Sequence, residues 1–241
     1  MELFGTVADL YETARPGYPP QIADAILSYH GRTPSSVVEI GAGTGKATAV
    51  LAGIGAPLTC VEPDARMAAV LASRFPVAVV ERNTFEHWSP PAGGAEVLAC
   101  AMAWHWLDPA TRNTRARGIL APGGTLAVFG HRYEYADPAH GAAIQAAVRA
   151  VDPGVRERPA DWFHDDIVAA GCFTGVRKQV FENVLPLDRS AYLALVQTFG
   201  PFLQRSPEQQ ERGLDALGTL IDDFGGTVVL NLRTTLVLAR R

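Results

Sequence analysis

The stretch "EIGAGTGKAT", residues 39–48, decides the fold of this chain. It follows an apolar pair and runs into the helical pattern "KATAVLAGIG", which ends at Gly55. Glycines at a strand-to-helix turn let the backbone approach a ligand closely, and the helix N-terminus favours negative charge. The pattern therefore predicts a strand, a glycine-rich nucleotide-binding loop and a helix.

The spacing of the glycines separates three types of nucleotide site. A triphosphate loop needs a glycine five residues before Gly45 and a hydroxyl residue after Lys46, but Ile40 and Ala47 stand there. The dinucleotide fingerprint needs its third glycine at position 46, so the lysine there disfavours a diphosphate bridge. What remains is the pattern G-x-G-x-G, which starts at Gly41.

An acidic residue after the loop supports a nucleoside site. Glu62 lies in "VEP", 21 positions after Gly41, where the second predicted strand ends. An acid at that place can accept hydrogen bonds from both hydroxyls of a ribose. The loop and Glu62 together therefore predict that the chain binds a nucleoside.

Strand-like and helix-like segments alternate along the chain, which is typical of helices packed on both faces of a mostly parallel sheet. We predict an α/β fold: a Rossmann-like, doubly wound, seven-stranded, mostly parallel sheet with helices on both faces and a helical cover over the active site. Further helices are predicted at "PPQIADAILSYHG", "DARMAAVLASRF", "ADWFHDDIVAAGCF", "RSAYLALVQTFGPFL" and "SPEQQERGLDALGTLIDDFGG". The predicted strands are "SVVEI", "PLTCVEP", "VAVVERN", "AEVLACAMAW", "TLAVFGH", "GVRKQVFENVLPL" and "TVVLNLRTTLVLARR".

The composition argues against several classes of function. The chain has 241 residues, 48% hydrophobic and 19% charged, which suits one globular domain. Its net charge is -4 without a run of five like charges, so we expect neither nucleic acid nor a membrane as a partner. No apolar leader or membrane span is evident, which predicts a cytoplasmic protein. The histidines and cysteines lack metal-site spacing, so no metal is expected.

Four further segments accompany the glycine loop in order. Between residues 11 and 130 the chain carries "YETARPGYP", "VVEIGAGTGKAT", "VEPDARM", "AWHWLDP" and "LAPGGTLAVFG". Together these segments resemble the class I S-adenosylmethionine-dependent methyltransferases, especially the small-molecule group that includes trans-aconitate methyltransferase-like enzymes. The resemblance implies S-adenosyl-L-methionine as the cofactor and methyl transfer to a small-molecule acceptor.

The resemblance also implies which residues contact the cofactor. The glycine loop approaches its amino-acid part, Glu62 accepts from the ribose, and the segment 83–85 follows the third strand at the adenine edge. The end of the fourth strand passes the sulfonium, and Arg15 can pair with the cofactor's carboxylate. The implied cofactor-binding residues are Tyr11, Arg15, Glu39, Gly41, Gly43, Gly45, Glu62, Pro63, Met67, Asn83, Thr84, Phe85, Ala101 and Met102.

Two segments beyond strand ends are candidate parts of the acceptor site. If "MAWHWLDP" stays extended, Trp104 and Trp106 face one side and His105 the other, as a general base or substrate anchor. "GHRYEY" follows the fifth strand, where open α/β sheets bind ligands. Core packing of the tryptophans and a solvated arginine are the alternatives. The catalytic candidates are His105 and His131, and the substrate-binding candidates are Trp104, Trp106, Arg132 and Tyr133.

We predict a single methyltransferase domain over residues 1–241. Its parts are an N-terminal cap at 1–34, a cofactor-binding core at 35–135, substrate-covering helices and a strand at 136–224, and a closing strand at 225–241. Two alternatives stay open: a non-methylating S-adenosylmethionine-binding protein, and an NAD-type oxidoreductase on a related fold. The identity of the acceptor, the methylated atom and the assembly, for which a homodimer is one option, also stay open.

Overall fold

One mixed sheet forms the centre of the molecule. The structure is a computed structural model, and it describes residues 3–154, 159 and 162–241. Its strands are β1 (Val37–Ile40), β2 (Leu58–Val61), β3 (Val79–Glu81), β4 (Ala95–Ala101), β5 (Leu120–Tyr135), β6 (Thr174–Asp188) and β7 (Thr227–Arg240). The seven strands lie in the order β3-β2-β1-β4-β5-β7-β6. β1 to β5 pair in parallel, and β7 is antiparallel to both β5 and β6. The predicted fold class is therefore confirmed.

The helices of the described residues cover both faces of this sheet. They are α1 (Ala8–Ala14), α2 (Gln21–His30), α3 (Thr48–Leu51), α4 (Ala65–Arg74), α5 (Arg112–Ile119), α6 (Pro138–Val151), α7 (Trp162–Ala169), α8 (Arg189–Val196), α9 (Gly200–Leu203) and α10 (Pro207–Asp223). None of these helices has the length and apolar character that crossing a membrane requires.

The alternation of side chains along β4 shows how the core divides between the two faces. Val97 and Ala99 pack with α2, α3 and α4, whereas Leu98 and Cys100 pack with α5 and α7. All four are fully buried. Because successive strand residues point to opposite faces, a strand covered on both sides is apolar throughout.

A third apolar cluster joins α6, α8, α9 and α10 at the ends of β5 and β7. Ile144, Leu195, Phe202 and Ile221 are buried in it. These helices form the predicted cover. α6 is a helix that the sequence reading did not predict, although Asp137 caps its first turn and Pro138 begins it.

Local sequence signals account for several helix ends. Asp64 accepts hydrogen bonds from the N–H groups of Arg66 and Met67 and so caps α4. Gly31 ends α2 with φ 89°, and Gly55 ends the turn after α3 with φ 77°, both left-handed conformations that glycine adopts without strain.

Several predicted elements differ in extent. The predicted helix "RSAYLALVQTFGPFL" is two helices, α8 and α9, because Pro201 has no N–H to continue the first one. The helix after the glycine loop begins at Thr48 rather than at position 46. The predicted helix "ADWFHDDIVAAGCF" begins at residues 160 and 161, which lie outside the described residues.

Candidate functional site

A cavity of about 700 Å³ opens at the carboxyl ends of β1, β2, β4 and β5. Parallel strands end at the same edge of a sheet, and this is where open α/β sheets bind ligands. Its volume lies in the range of small-molecule pockets. Every predicted site residue lines this cavity except Glu39 and Gly45.

The three loop glycines have different surroundings. Gly41, Gly43 and Gly45 all have positive φ, at 67°, 58° and 94°. A Cβ at Gly41 would lie 2.5 Å from the Ala103 Cβ, and a Cβ at Gly45 would lie 2.5 Å from Cε2 of Phe75. Gly45 therefore allows α4 to pack against the loop, whereas Gly43 borders the cavity.

Glu62 lies at the end of β2 and is held by backbone N–H groups. Its Oε2 accepts a hydrogen bond from the N–H of Gly43 at 2.8 Å, and its Oε1 accepts from the N–H of Asp64 at 2.9 Å. Burial raises the pKa of Glu62, and these two hydrogen bonds oppose that rise. Each carboxylate oxygen keeps a lone pair for a further donor.

Glu39 lies beneath the loop and not in the cavity. Its carboxyl accepts a hydrogen bond from Thr48 Oγ1 and lies 3.8 Å from Cys60 Sγ. Burial raises the pKa of Glu39 to about 8. The resemblance implied that Glu39 contacts the cofactor. In the structure Glu39 does not line the cavity, because its side chain joins β1 to the start of α3.

Glu39→Gln should remove part of the pH dependence of stability. The folded chain holds the Glu39 proton up to a pKa of about 8, whereas the ordinary value is 4.5. Between these pH values the folded state binds more protons than the unfolded state, so rising pH destabilises the wild type by up to about 1.4 kcal/mol per unit.

Urea unfolding between pH 5 and 8 measures this effect. We expect the free energy of unfolding of Glu39→Gln to fall less steeply with pH than that of the wild type. Glu211→Gln, which changes an exposed acid on α10, should keep the wild-type slope. Equal slopes for the wild type and Glu39→Gln would show that Glu39 is ionised in the folded protein.

The predicted adenine contacts lie around the ends of β2 and β3. Pro63 and Met67 border the cavity on one side, and Met67 is buried. Asn83 Oδ1 accepts a hydrogen bond from the Thr84 N–H at 2.9 Å, which turns the chain after β3. Phe85 is buried beside this turn. The structure thus brings all of these residues to one end of the cavity.

The end of β4 has an unusual backbone. Met102 has φ 52° and is the one non-glycine residue with positive φ in the described part of the chain. Its N–H donates to the Phe129 carbonyl at 3.0 Å, and its Sδ accepts the N–H of His131 at 3.2 Å. Ala101 and Met102 therefore line the cavity where β4 and β5 are joined.

The segment after β4 turns into a 3₁₀ helix at Trp104–Trp106, so its side chains do not alternate. Trp104 is buried, and its Nε1 donates to Asp166 at 2.9 Å. Trp106 is 37% exposed and packs on Phe4 with ring centroids 5.9 Å apart. Because the segment does not stay extended, the two tryptophans do not share one side. His105 lies 4.6 Å from the Trp106 ring and lines the cavity.

Asp166 on α7 is a hydrogen-bonding centre that the sequence reading missed. It accepts from Arg112 Nε at 3.0 Å and from Arg112 Nη2, Trp104 Nε1 and Asn113 Nδ2. Burial raises the pKa of Asp166, but the hydrogen bonds, with Arg112 foremost, hold it below its usual range. This acid fixes α7 and its Trp162 against the turn after β4.

The N-terminal helix α1 lies over the cavity. Glu12 Oε1 accepts from Lys46 Nζ at 3.0 Å and from Arg74 Nη2 at 2.9 Å, so α1 is tied to the glycine loop and to α4. Tyr11 on the same helix lines the cavity, and its ring packs on Phe4 at 5.9 Å.

Arg15 follows α1 and reaches toward β5. Its Nη2 donates to the Thr198 carbonyl at 2.8 Å, and its Nη1 donates to the Tyr133 hydroxyl at 3.5 Å. The guanidinium carbon lies 4.4 Å from the centre of the Phe199 ring. All of these partners lie toward the cover and not toward the glycine loop.

The end of β5 supplies the remaining predicted residues. His131 Nδ1 lies 2.9 Å from Thr234 Oγ1, and its ring stacks on Tyr18 at 4.3 Å. Burial, with a smaller effect from the Arg15 charge, lowers the pKa of His131 to about 4. Arg132 forms an ion pair with Glu134 at 3.2 Å. At the cavity, the His131 imidazole is therefore neutral near pH 7, and the Arg132 guanidinium is paired with an acid.

Some lining residues were not predicted, since only tertiary packing brings them to the cavity. Phe199 and Gln204 come from the cover, and the break before Pro201 is the one local signal that points to this bend. The unpredicted residues include Phe4, Asp64, Glu86, Trp162, Phe199, Gln204 and Thr235.

Comparison with known proteins identifies a family and a fold. A family described as "Methyltransferase domain" matches residues 11–155. An uncharacterized methyltransferase of Mycobacterium tuberculosis is 36% identical over 123 residues, 51% of this chain and 49% of that protein. Trans-aconitate 2-methyltransferase of Rhizobium meliloti is 37% identical over 93 residues, 37% of this chain and 36% of that protein. The matched region thus spans at most about half the length of these curated relatives.

Solved structures share the fold at low sequence identity. A protein of Anaeromyxobacter dehalogenans, assigned as a type II methyltransferase, superposes with a TM-score of 0.70 at 16% identity, over 94% of this chain and 97% of that chain. Phosphoethanolamine N-methyltransferase 2 of Haemonchus contortus, in complex with S-adenosyl-L-methionine, superposes with a TM-score of 0.56 at 14% identity, over 98% of this chain and 57% of that chain.

Proposed function

The chain belongs to the methyltransferase domain family, and from this premise we propose that it transfers a methyl group from S-adenosyl-L-methionine to a small-molecule acceptor. The observation that carries the proposal is the contact between Gly43 and Glu62, which joins the glycine loop to the acid of the next strand at the cavity wall. A ribose beside Glu62 and an amino-acid group beside Gly43 would use these features together.

The residues around the loop fit this cofactor. A side chain at Gly43 would project into space that is open except for the tip of Met67, so the loop is bare where a ligand would approach. Glu62 would accept from the ribose, and the segment around Asn83 would border the adenine. When bound, S-adenosyl-L-methionine supplies an electrophilic methyl group on a positively charged sulfur.

The chain's own contribution is to position the reactants and to exclude water. Because the cofactor carries the reactive group, the side chains need only hold the two reactants in a reactive orientation to accelerate the transfer. Phe4, Tyr11 and Trp106 form a connected aromatic roof over the cavity. Glu12 holds that roof to the loop through Lys46 and Arg74.

We propose different roles for the two histidines of the cavity. With a pKa of about 4, His131 is neutral near pH 7 and is a weak base. It then acts as a hydrogen-bonding partner of the acceptor rather than as a general base. His105, in the turn after β4, is the candidate that would accept a proton where the methylated atom has one to lose.

Calorimetry with S-adenosylhomocysteine tests the proposal, with NAD⁺ as the rival ligand. We expect saturable binding of S-adenosylhomocysteine and none of NAD⁺, and transfer of isotope-labelled methyl from S-adenosyl-L-methionine to some member of a small-molecule panel. Mass spectrometry of the purified protein would reveal any retained ligand. Binding of NAD⁺ alone would favour an oxidoreductase, and cofactor binding without any methylated product would favour a non-methylating protein.

A further inference from the structure

The charges along the cavity are divided between its two ends. Among the described residues, the acids that line it are Glu62, Asp64 and Glu86, all of which follow β2 or β3. Its cations, Arg15 and Arg132, lie at the other end, toward β5 and the cover. In the described part of the chain, no carboxylate lines the cavity beyond β4, because Glu134 is paired with Arg132 and Asp166 with Arg112 outside the lining.

The same end is walled by aromatic rings. Phe4 and Trp106 lie 5.9 Å apart between ring centroids, and Tyr133 and Phe199 lie 5.5 Å apart, each pair with edge-to-face geometry. All four rings line the cavity. Aromatic walls of this kind favour a flat aromatic ligand, because ring pairs gain contact energy beyond the area that they bury.

Arg15 supplies the charged group of this end. Its Nη1 and Nη2 donate one hydrogen bond each, to Tyr133 and Thr198, so each keeps a second N–H, and its Nε is buried and has no hydrogen-bond partner among the described residues. No carboxylate of the described residues forms an ion pair with Arg15. A half-buried guanidinium with a remaining N–H donor is suited to an anionic group.

Resting on the proposed function, we infer that the acceptor is a small aromatic molecule with an anionic group such as a carboxylate. The aromatic part lies against Phe4, Trp106, Tyr133 and Phe199, and the anionic group pairs with Arg15. Arg15 is thereby assigned to the acceptor and not to the carboxylate of the cofactor, to which the sequence reading assigned it. A cationic amine is disfavoured because it would approach Arg15 without a counter-ion.

The test measures binding to protein saturated with S-adenosylhomocysteine. Benzoate, phenylacetate and indole-3-acetate are compared with the neutral indole-3-acetamide, the cationic tryptamine and the aliphatic succinate by calorimetry. We expect at least one aromatic carboxylate to bind, and indole-3-acetate to bind about tenfold or more tightly than its amide, tryptamine or succinate. Binding of none of the aromatic carboxylates, or tighter binding of tryptamine or succinate, would overturn the inference.

Two variants identify the anchor. Arg15→Gln should remove the preference for indole-3-acetate over its amide while changing the affinity for S-adenosylhomocysteine by less than about threefold. Arg189→Gln, which removes a cation that is paired with Asp222 and does not line the cavity, should keep the preference. If Arg15→Gln is folded by circular dichroism but loses S-adenosylhomocysteine, Arg15 serves the cofactor and the inference is wrong. If the wild type itself does not bind S-adenosylhomocysteine, it is the proposed function that fails.

Discussion

Glu62→Gln is expected to weaken the binding of S-adenosylhomocysteine by about 100-fold, because hydrogen bonds to a charged acceptor contribute about 1.5–3 kcal/mol each. The wild-type carboxylate accepts the N–H groups of Gly43 and Asp64 and keeps lone pairs toward the cavity. An amide has one oxygen, so its NH₂ would face one of these N–H donors. The substitution therefore removes a ribose acceptor and also disturbs the loop that contacts the cofactor.

Isothermal calorimetry measures the affinity, and thermal unfolding shows whether the variant is folded. Glu86→Gln is the matched control, because Glu86 is an exposed acid that lines the same end of the cavity. We expect its affinity to stay within about threefold of the wild type. A folded Glu62→Gln protein with wild-type affinity would remove the main support for a nucleoside-binding site.

The glycine-loop side of the cavity could be predicted because its signals are local. Three loop positions have positive φ, a conformation that favours glycine, and the sequence has glycine at each of them, at positions 41, 43 and 45. The position of Glu62 beside the loop could be predicted because parallel pairing places the ends of β1 and β2 side by side. Glu39 lies on β1, directly before the loop, yet the direction of its side chain depends on α3 packing against β1, which spacing does not reveal.

The end of the cavity near β5 and the cover could be predicted less well, because it is assembled by contacts between distant segments. Trp104 and Trp106 are two positions apart in a 3₁₀ turn. Trp104 is buried in the core, where it donates a hydrogen bond to Asp166, whereas Trp106 packs on Phe4 in the aromatic roof. The N-terminal motif predicts Arg15 as a site residue. Its direction toward Tyr133 and Thr198 depends on segments that are 118 and 183 residues away in the chain.

Gly43→Ala should mainly weaken ligand binding and Gly45→Ala should mainly lower stability, although both glycines have positive φ. That conformation costs alanine about 1–2 kcal/mol in either place. The Gly43 methyl would meet only Met67 Cε, at 3.5 Å, and would project where the cofactor approaches. We expect Gly43→Ala to stay folded and to bind S-adenosylhomocysteine about 100-fold more weakly.

The Gly45 methyl would instead lie 2.5 Å from the Phe75 ring and 2.8 Å from Leu71, inside the packing of α4. Overpacking of this kind adds about 1–3 kcal/mol to the backbone strain, so Gly45→Ala should lower the free energy of unfolding by about 2–5 kcal/mol. Urea unfolding and calorimetry on both variants separate the two effects. Gly213→Ala on α10, where a Cβ meets no atom within 4 Å, is the control that should lose neither stability nor affinity. Equal losses of affinity in Gly43→Ala and Gly45→Ala at matched folded fractions would mean that the loop responds as one unit, and that Gly43 has no special place beside the ligand.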